Sequence, residues 1–193
     1  LDLPDGPLTL EAWFRGDAFG GRTGLVTKTE GSEYGFFVSD AKPSFWLHLD
    51  GAYVELAPSE ITLQTGRWYH LAGVFDGSEV RMYLDGRLVG RSPAGGVRTT
   101  NDLPLVVGGD VDPQGNGTSF FDGAIDEVRI SSTARYDGGF RPVPRHQHDD
   151  DTILLLHMDA RRGSWIAGDV GRGINPAVWS DPVLVESGAG SDK

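Results

Sequence analysis

The chain contains no cysteine among its 193 residues, so neither disulfide bonds nor thiolate ligands can hold its fold together. It also lacks any apolar run near the ~20 residues that a bilayer-spanning helix requires. Basic residues are scarce, with 17 Lys and Arg against 28 Asp and Glu, which gives a formal net charge of −11. A charge of this sign repels phosphate backbones and anionic lipid surfaces. We therefore expect neither nucleic-acid binding nor membrane insertion.

Glycine and proline are abundant, at 28 and 11 residues, and no segment longer than two turns has a 3.6-residue apolar period. This profile is typical of strands and turns, and the length suits one sandwich-sized domain. Outside the two hairpins described next, we expect strands at Leu8 to Phe14, Leu25 to Lys28, Tyr34 to Ser39, Trp68 to Phe75, Leu103 to Val107, Gly123 to Ile130 and Thr152 to Met158.

Two Asp-Gly pairs predict tight hairpins, because Asp and Gly tolerate the positive φ of a type I′ turn. Asp50-Gly51 joins PSFWLHL to AYVELAP, and Asp85-Gly86 joins VRMYL to RLVG. Between them, Trp68 to Phe75 is apolar on both alternating faces, which indicates a central strand covered on both sides. The sequence therefore predicts an antiparallel two-sheet β-sandwich, with at most a short helical turn near residues 131–136.

Four motifs extend this prediction to a family: LTLEAWF, GRWYHLAGVFDG, VRMYLDGRLVG and FDGAIDEVRIS. In order and spacing they resemble the laminin-G-like jelly-roll domains of the concanavalin A-like lectin/glucanase superfamily. The resemblance covers roughly residues 8–159, and ARYDGGFRPVP and TILLLHMD resemble the ending of a bacterial and phage subgroup. It implies an all-β jelly roll, frequent calcium binding, and roles in glycan binding, adhesion or substrate targeting. Because one fold hosts many functions, function must be argued from the site.

The departure from the family lies at the ends of the chain. Further strands usually precede the EAW strand, whereas only LDLPDG precedes it here, without a signal-peptide pattern. TILLLHMD either supplies missing strands from the C-terminal side or begins a following repeat. We expect a sandwich over residues 1–159 and a C-terminal segment, 160–193, that packs partly through residues 175–185 and is flexible from about 187. Trp165 and Trp179 favour such packing, since tryptophan rings are costly to leave in water.

The first hairpin yields the main candidate binding surface. Its two-residue loop sets Trp46 opposite Glu55 and His48 opposite Tyr53 on one face, while the other face is apolar. Aromatic faces stack on sugar rings, and carboxylate and imidazole groups bind hydroxyls, so these four residues have the chemistry of a glycan subsite. The alternative is that a neighbouring strand or the C-terminal segment covers Trp46 and Tyr53.

A candidate metal site lies in GGDVDPQGNGTS, where Asp110, Asp112 and Asn116 alternate with glycines. Calcium takes six to eight oxygen ligands, and a loop of this composition supplies carboxylate, amide and backbone oxygens. No bidentate Glu follows at the spacing of a true calcium loop, so an ordinary glycine-rich hairpin loop is the alternative.

Catalytic signals are weak in comparison. Retaining glucanases need two carboxylates about 5 Å apart. Asp126 and Glu127 are the nearest candidates, but adjacent strand residues are expected on opposite faces. We expect Asp126 to be buried on the face of Val128 and Ile130, with a hydrogen-bond donor or a metal as partner.

The histidines add no catalytic pattern. His146 and His148 stand in a proline-flanked loop that we expect to be solvated, and His70 and His157 lie in apolar strands, as core or sheet-edge histidines do. We therefore expect a non-catalytic, carbohydrate-binding module of a larger secreted or cell-surface protein, with a glycan or a surface protein as partner. A protein-interaction or adhesion module of a surface or phage structural protein is the alternative, and a glycosidase relative is less favoured.

Overall fold

The computed structural model describes residues 3–159, 161–162, 165–166 and 170–171. Within these ranges the chain is all-β, and no helix is formed. The short helical turn that the sequence allowed near residues 131–136 is not formed, and residues 132–136 continue from a strand as irregular chain. The described part of the chain contains no helix long and apolar enough to cross a membrane.

The strands are numbered in chain order. They are β1 Leu8–Gly16, β2 Arg22–Lys28, β3 Tyr34–Ser39, β4 Lys42–Leu49, β5 Ala52–Leu56, β6 Trp68–Phe75, β7 Glu79–Leu84, β8 Arg87–Pro93, β9 Val106–Val107, β10 Asp110–Val111, β11 Gly117–Thr118, β12 Gly123–Ser131, β13 Thr152–Leu156, β14 Arg161–Arg162, β15 Trp165–Ile166 and β16 Val170–Gly171. The strand expected at Leu103 to Val107 is reduced to its last two residues, β9.

Two antiparallel sheets form the sandwich that the sequence predicts. A seven-stranded sheet has the order β16-β13-β12-β1-β6-β7-β8, and a five-stranded sheet has the order β5-β4-β3-β2-β9. Strand β6 lies between β1 and β7 and is buried from Tyr69 onward, as its two apolar faces predict. The core between the sheets is aliphatic and aromatic, and includes Leu10, Phe14, Phe36, Phe45, Leu47, Leu71, Met82, Val128 and Ile130. We call the opposite side of each sheet its outer face.

Both Asp-Gly hairpins form, and the first has the predicted register. Asp50 and Gly51 have φ values of 48° and 84°, and Asp85 and Gly86 have values of 50° and 74°, as a type I′ turn requires. Trp46 pairs with Glu55 across β4 and β5. The register therefore places the side chains of the first hairpin as the sequence predicts.

The C-terminal strand β13 belongs to the same sheet as β1. It pairs with β12, and β16 pairs with β13 in turn, through Leu154 with Gly171 and Leu155 with Val170. The packing expected for residues 175–185, the flexible tail from about 187 and Trp179 lie outside the described residues.

A β-bulge in β12 changes which side chains face outward. Glu11 pairs with Arg129 but Trp13 pairs with Asp126, and Glu127 adopts a left-handed φ of 52°. Because paired residues share a face, Asp126 lies on the outer face with Trp13, as does Glu127. The expectation that Asp126 and Glu127 point to opposite faces is therefore wrong, and so is the placement of Asp126 beside Val128.

Residues 132–151 pack over the outer face of the seven-stranded sheet, and we call them the covering segment. The rings of Tyr136 and Phe140 stack at 3.5 Å, with an interplanar angle of 5°. They pack with Ala72, Val74 and Tyr83 into a second small apolar cluster. The covering segment therefore removes polar groups of this outer face from water.

Candidate functional site

A pocket of about 240 Å³ lies on the outer face of the five-stranded sheet. It is lined by Trp46 of β4, Tyr53 of β5, Arg22 of β2 and the loop residues Thr29, Glu30 and Gly31. Two regions of the chain, residues 22–31 and the first hairpin, thus converge, and two of the four residues predicted from that hairpin are part of the lining. The mixture of aromatic, hydroxyl and charged groups is typical of a small-ligand site.

The aromatic walls of the pocket are held by specific contacts. The Trp46 and Tyr53 rings are 5.4 Å apart and nearly perpendicular, at 79°. Trp46 Nε1 donates a hydrogen bond to Ser44 Oγ at 2.9 Å, and the Tyr53 hydroxyl accepts one from the Gly31 backbone N–H at 2.7 Å. Trp46 is half-buried and Tyr53 is 41% exposed. Two oriented rings are therefore open to a ligand.

Arg22 supplies a positive charge at the edge of the pocket. Its guanidinium carbon lies 3.6 Å from the Phe37 ring centroid and 5.8 Å from that of Trp46. Asp110 accepts hydrogen bonds from Arg22 Nη1 at 3.1 Å and from Thr29 Oγ1 at 2.9 Å. Because Asp110 contacts both lining residues, it positions them from behind the pocket surface.

The loop between β2 and β3 approaches the pocket in an uncommon backbone conformation. Glu30 has a φ of 75°, and Gly31 follows with a φ of 70°. A non-glycine residue in this region costs of order 1–3 kcal/mol and persists only where surrounding contacts enforce it. The Tyr53 hydroxyl and Asn101 Nδ2, which donates to the Thr29 carbonyl at 2.7 Å, supply such contacts.

The other two residues predicted for this surface lie beside the pocket. Glu55 is exposed and pairs with Trp46 across the hairpin. His48 is only 7% exposed, and its ring lies 4.6 Å from that of Tyr53. His48 is therefore nearly inaccessible to solvent, and the direct binding of a ligand by this residue stays a prediction.

The predicted calcium loop forms the ribbon of β10 and β11. Asp112 accepts hydrogen bonds from the backbone N–H groups of Gln114 and Asn116 and from Asn116 Nδ2, which close the turn. These bonds lower the pKa of the Asp112 carboxyl. Asp110 instead contacts Arg22 and Thr29. The loop thus directs Asp110 towards the pocket and uses Asp112 and Asn116 for the turn.

A second polar group lies under the covering segment. Among the described residues, Glu11, His70 and His146 bring one ligand atom each to within 4.8 Å of one another, and such a group could hold a metal ion. His146 is 1% exposed, so the expectation that it is solvated is wrong, whereas His148 is exposed as predicted. The sequence around His146 is proline-flanked and typical of a loop, so it did not indicate that the covering segment packs on a sheet.

The carboxylates on this outer face are bound by protein groups. Burial opposes the ionisation of Glu11, but the proximity of His70 and the charge of Arg129 lower its pKa to about 2. Glu127 accepts a hydrogen bond from the His146 backbone N–H at 2.7 Å and lies 2.7 Å from His157 Nδ1. Burial raises the pKa of Glu127 above its usual value. Neither carboxylate is exposed to solvent.

The fold is that of a known family. A family model described as "Concanavalin A-like lectin/glucanases superfamily" matches residues 1–137. The chain therefore belongs to this superfamily, in its laminin-G-like branch, and the resemblance read from its motifs is confirmed. The sequence matches none of the curated proteins.

Solved structures show the same fold at low identity. A candidate carbohydrate-binding protein from Bacteroides ovatus is 20% identical, with a TM-score of 0.69 over 86% of this chain and 50% of its own. The CBM40 of a Ruminococcus gnavus sialidase, bound to α2,3-sialyllactose, is 16% identical, with a TM-score of 0.54 over 70% and 79%. Mouse laminin α1 domains LG4-5 are 19% identical, with a TM-score of 0.53 over 73% and 42%. The chain spans about half the length of the Bacteroides protein.

Proposed function

We propose that this chain is a non-catalytic carbohydrate-binding module, and that its binding site is the pocket between Trp46 and Tyr53. The observation that carries the proposal is the pair of perpendicular, solvent-accessible rings, with Arg22, Thr29 and Glu30 at their edges. One ring can stack on the apolar face of a sugar while polar groups bind its hydroxyls. The shallow volume suits one or two sugar units rather than a long chain.

The polar groups of the pocket are suited to hydroxyl recognition. The Tyr53 hydroxyl accepts from Gly31, so its own proton is available to a ligand oxygen. Arg22 is 45% exposed at its side chain while it pairs with Asp110, so guanidinium donors face the solvent side. Glu30 is exposed and supplies acceptors. The site therefore combines donors and acceptors around an aromatic platform.

The arrangement of the carboxylates supports a binding role over hydrolysis. Asp126 and Glu127 share a face, but both are buried, and Glu127 is bound by His146 and His157. A glycosidase needs its acid and its nucleophile open to the scissile bond. The solved structures of similar fold include the sialidase CBM40 in complex with a sugar, which supports a glycan as the ligand class. We also infer that the module acts within a larger secreted or surface protein.

Replacement of Trp46 tests the proposed site. On a glycan array, the wild-type chain should bind a subset of glycans. Trp46→Ala should weaken that binding at least about tenfold, a change of about 1.4 kcal/mol, because it removes the stacking platform. Affinity is measured by calorimetry on the best array ligand, and folding by thermal melting. Glu55→Gln should lower affinity by less, with an unchanged melting curve.

Trp68→Ala is the matched control, since Trp68 is also half-buried but begins β6 in the other sheet. It should leave glycan affinity unchanged. The proposal is contradicted if Trp46→Ala costs about 3–5 kcal/mol of stability, as a core tryptophan would, while affinity per folded molecule is unaltered. An array without any bound glycan favours the protein-interaction alternative.

Calcium binding by Asp110, Asp112 and Asn116 stays a prediction with a direct test. An ion at this loop must replace the N–H donors that now bind Asp112 and the Arg22 contact of Asp110. If calcium binds, the melting temperature should rise in millimolar calcium relative to excess chelator, and Asp110→Ala should abolish the rise. Identical melting curves in both conditions show that the loop is only a turn.

A further inference from the structure

The outer face of the seven-stranded sheet carries polar groups that the proposed glycan site does not use. Glu11 and His70 lie on the neighbouring central strands β1 and β6, where Trp13 pairs with His70 and Glu11 with Ala72. Glu11 and His70 are therefore diagonal neighbours on one face. The covering segment adds His146 above them. Three separate parts of the chain thus meet at one buried point.

The two histidines are buried, and their hydrogen-bonding capacity is incompletely satisfied by protein groups. His70 is 0% and His146 is 1% exposed, the Nδ1 atom of each ring has no hydrogen-bond partner, and the Nε2 atom of each ring faces only Glu11. A neutral imidazole carries one N–H donor and one acceptor. A buried donor left unsatisfied costs about 1–3 kcal/mol. Two adjacent imidazoles in this condition point to a shared electrophilic partner rather than to ordinary core packing.

Two of the ligand distances are close to those of a transition-metal site, and all three ligand atoms lie within 4.8 Å of one another. His70 Nε2 lies 3.3 Å and His146 Nε2 lies 3.7 Å from Glu11 Oε2. Tetrahedral zinc has metal–ligand distances of about 2.0–2.2 Å, which set its ligand atoms about 3.4 Å apart. Two imidazoles and a carboxylate favour zinc or a similar first-row metal. Calcium is disfavoured, because it requires six to eight oxygens.

The surroundings orient the carboxylate for this role. Arg129 Nε and Nη2 bind Glu11 Oε1 at 2.7 and 2.6 Å, whereas Oε2 faces both histidines. The Tyr136 hydroxyl donates to Oε2 at 2.8 Å. The two oxygens are thus divided between Arg129 and the histidine side. Hydrogen bonds of this kind fix the direction of ligands in metal sites.

We propose that Glu11, His70 and His146 bind one zinc-type divalent metal ion, which ties the covering segment to strands β1 and β6. Since two ligands come from the sheet and one from the segment, a bound ion bridges elements that are otherwise joined by hydrogen bonds and apolar contacts. Binding to the native state stabilises it by mass action. This site is distant in the fold from the glycan pocket, which lies on the other sheet.

Metal content of the full chain tests the proposal. The protein is expressed with added zinc and dialysed against a weak chelator. Elemental mass spectrometry should then find one zinc per chain. Protein unfolded with a strong chelator and refolded with and without zinc should melt several degrees higher with zinc. Refolding with cobalt should give the visible absorption bands of four-coordinate cobalt.

Two histidine variants separate this site from adventitious binding. His146→Gln should lose the bound zinc and the rise in melting temperature. His148→Gln removes an exposed imidazole from the same segment and should retain both. If His146→Gln fails to fold, His70→Gln and the cobalt spectrum of the wild-type chain decide instead. The proposal is overturned if the wild-type chain neither holds zinc nor takes it up on refolding, or if His148→Gln loses zinc as His146→Gln does.

Discussion

Replacing Lys28 by Met is expected to destabilise the protein by about 3–5 kcal/mol. The substitution removes a fully buried ammonium group and leaves its buried partners without that charge. Lys28 ends β2 and is 0% exposed. Its Nζ donates hydrogen bonds to the backbone oxygens of Asn101 and Leu103 and to Asn101 Oδ1 at 2.7–3.1 Å, and lies 4.0 Å from Glu33 Oε1. Without the ammonium group these oxygens lose a buried donor.

Equilibrium unfolding in urea measures this loss in the free energy of unfolding. At the size of this chain it corresponds to a fall in melting temperature of roughly 6–20 °C. Lys42→Met is the matched control, since Lys42 also donates to a carbonyl, that of Ser59 at 2.5 Å, but is exposed. It should change stability by no more than about 0.5 kcal/mol. Equal unfolding midpoints for the two variants would contradict the assigned role of Lys28.

Gly73→Ala is expected to cost about 1–3 kcal/mol, because β6 has no room for a methyl group at this position. A Cβ atom on Gly73 would lie 2.6–2.7 Å from three ring carbons of Phe45. Phe45 belongs to the opposite sheet, is 0% exposed and packs against Phe36 at a centroid distance of 5.3 Å. The ring therefore cannot move aside without disturbing the core between the sheets.

A double-mutant cycle identifies this contact as the cause. Gly73→Ala should cost less in a Phe45→Leu background than in the wild type, since the smaller side chain leaves room. Gly90→Ala in β8 is the control, because a Cβ there meets its nearest atoms at 3.7–3.9 Å. It should be neutral or slightly stabilising. An equal cost of Gly73→Ala in both backgrounds would falsify the packing argument.

The sequence predicts best what short-range geometry determines. The Asp50-Gly51 turn requires positive φ at both residues, and this fixes the register that opposes Trp46 to Glu55. The class of fold follows from such hairpins and from the doubly apolar β6. Two of the four predicted glycan-site residues, Trp46 and Tyr53, line the pocket for the same reason.

Long-range contacts limit the prediction of the rest. Arg22 and Thr29 reach the pocket through Asp110, a residue of a distant ribbon, and no local pattern reports that approach. The bulge at Glu127 adds one residue to β12. The side chains that precede it in β12 therefore point to the opposite face from the one that a regular strand would give them. His146 is buried because its segment packs on a sheet, although the surrounding composition is that of a solvated loop.

The position of β1 in the sheet has a consequence for how the molecule comes into being. β1 precedes both β6 and β12 in the chain but lies between them in its sheet, so that Thr9 pairs with Ser131. During synthesis from the N-terminus, one edge of β1 must wait unpaired until β12 has been added. Pairing over such a separation is slow, of the order of milliseconds to seconds. A nascent chain halted before residue 123 therefore exposes this apolar strand to chaperones and to neighbouring chains.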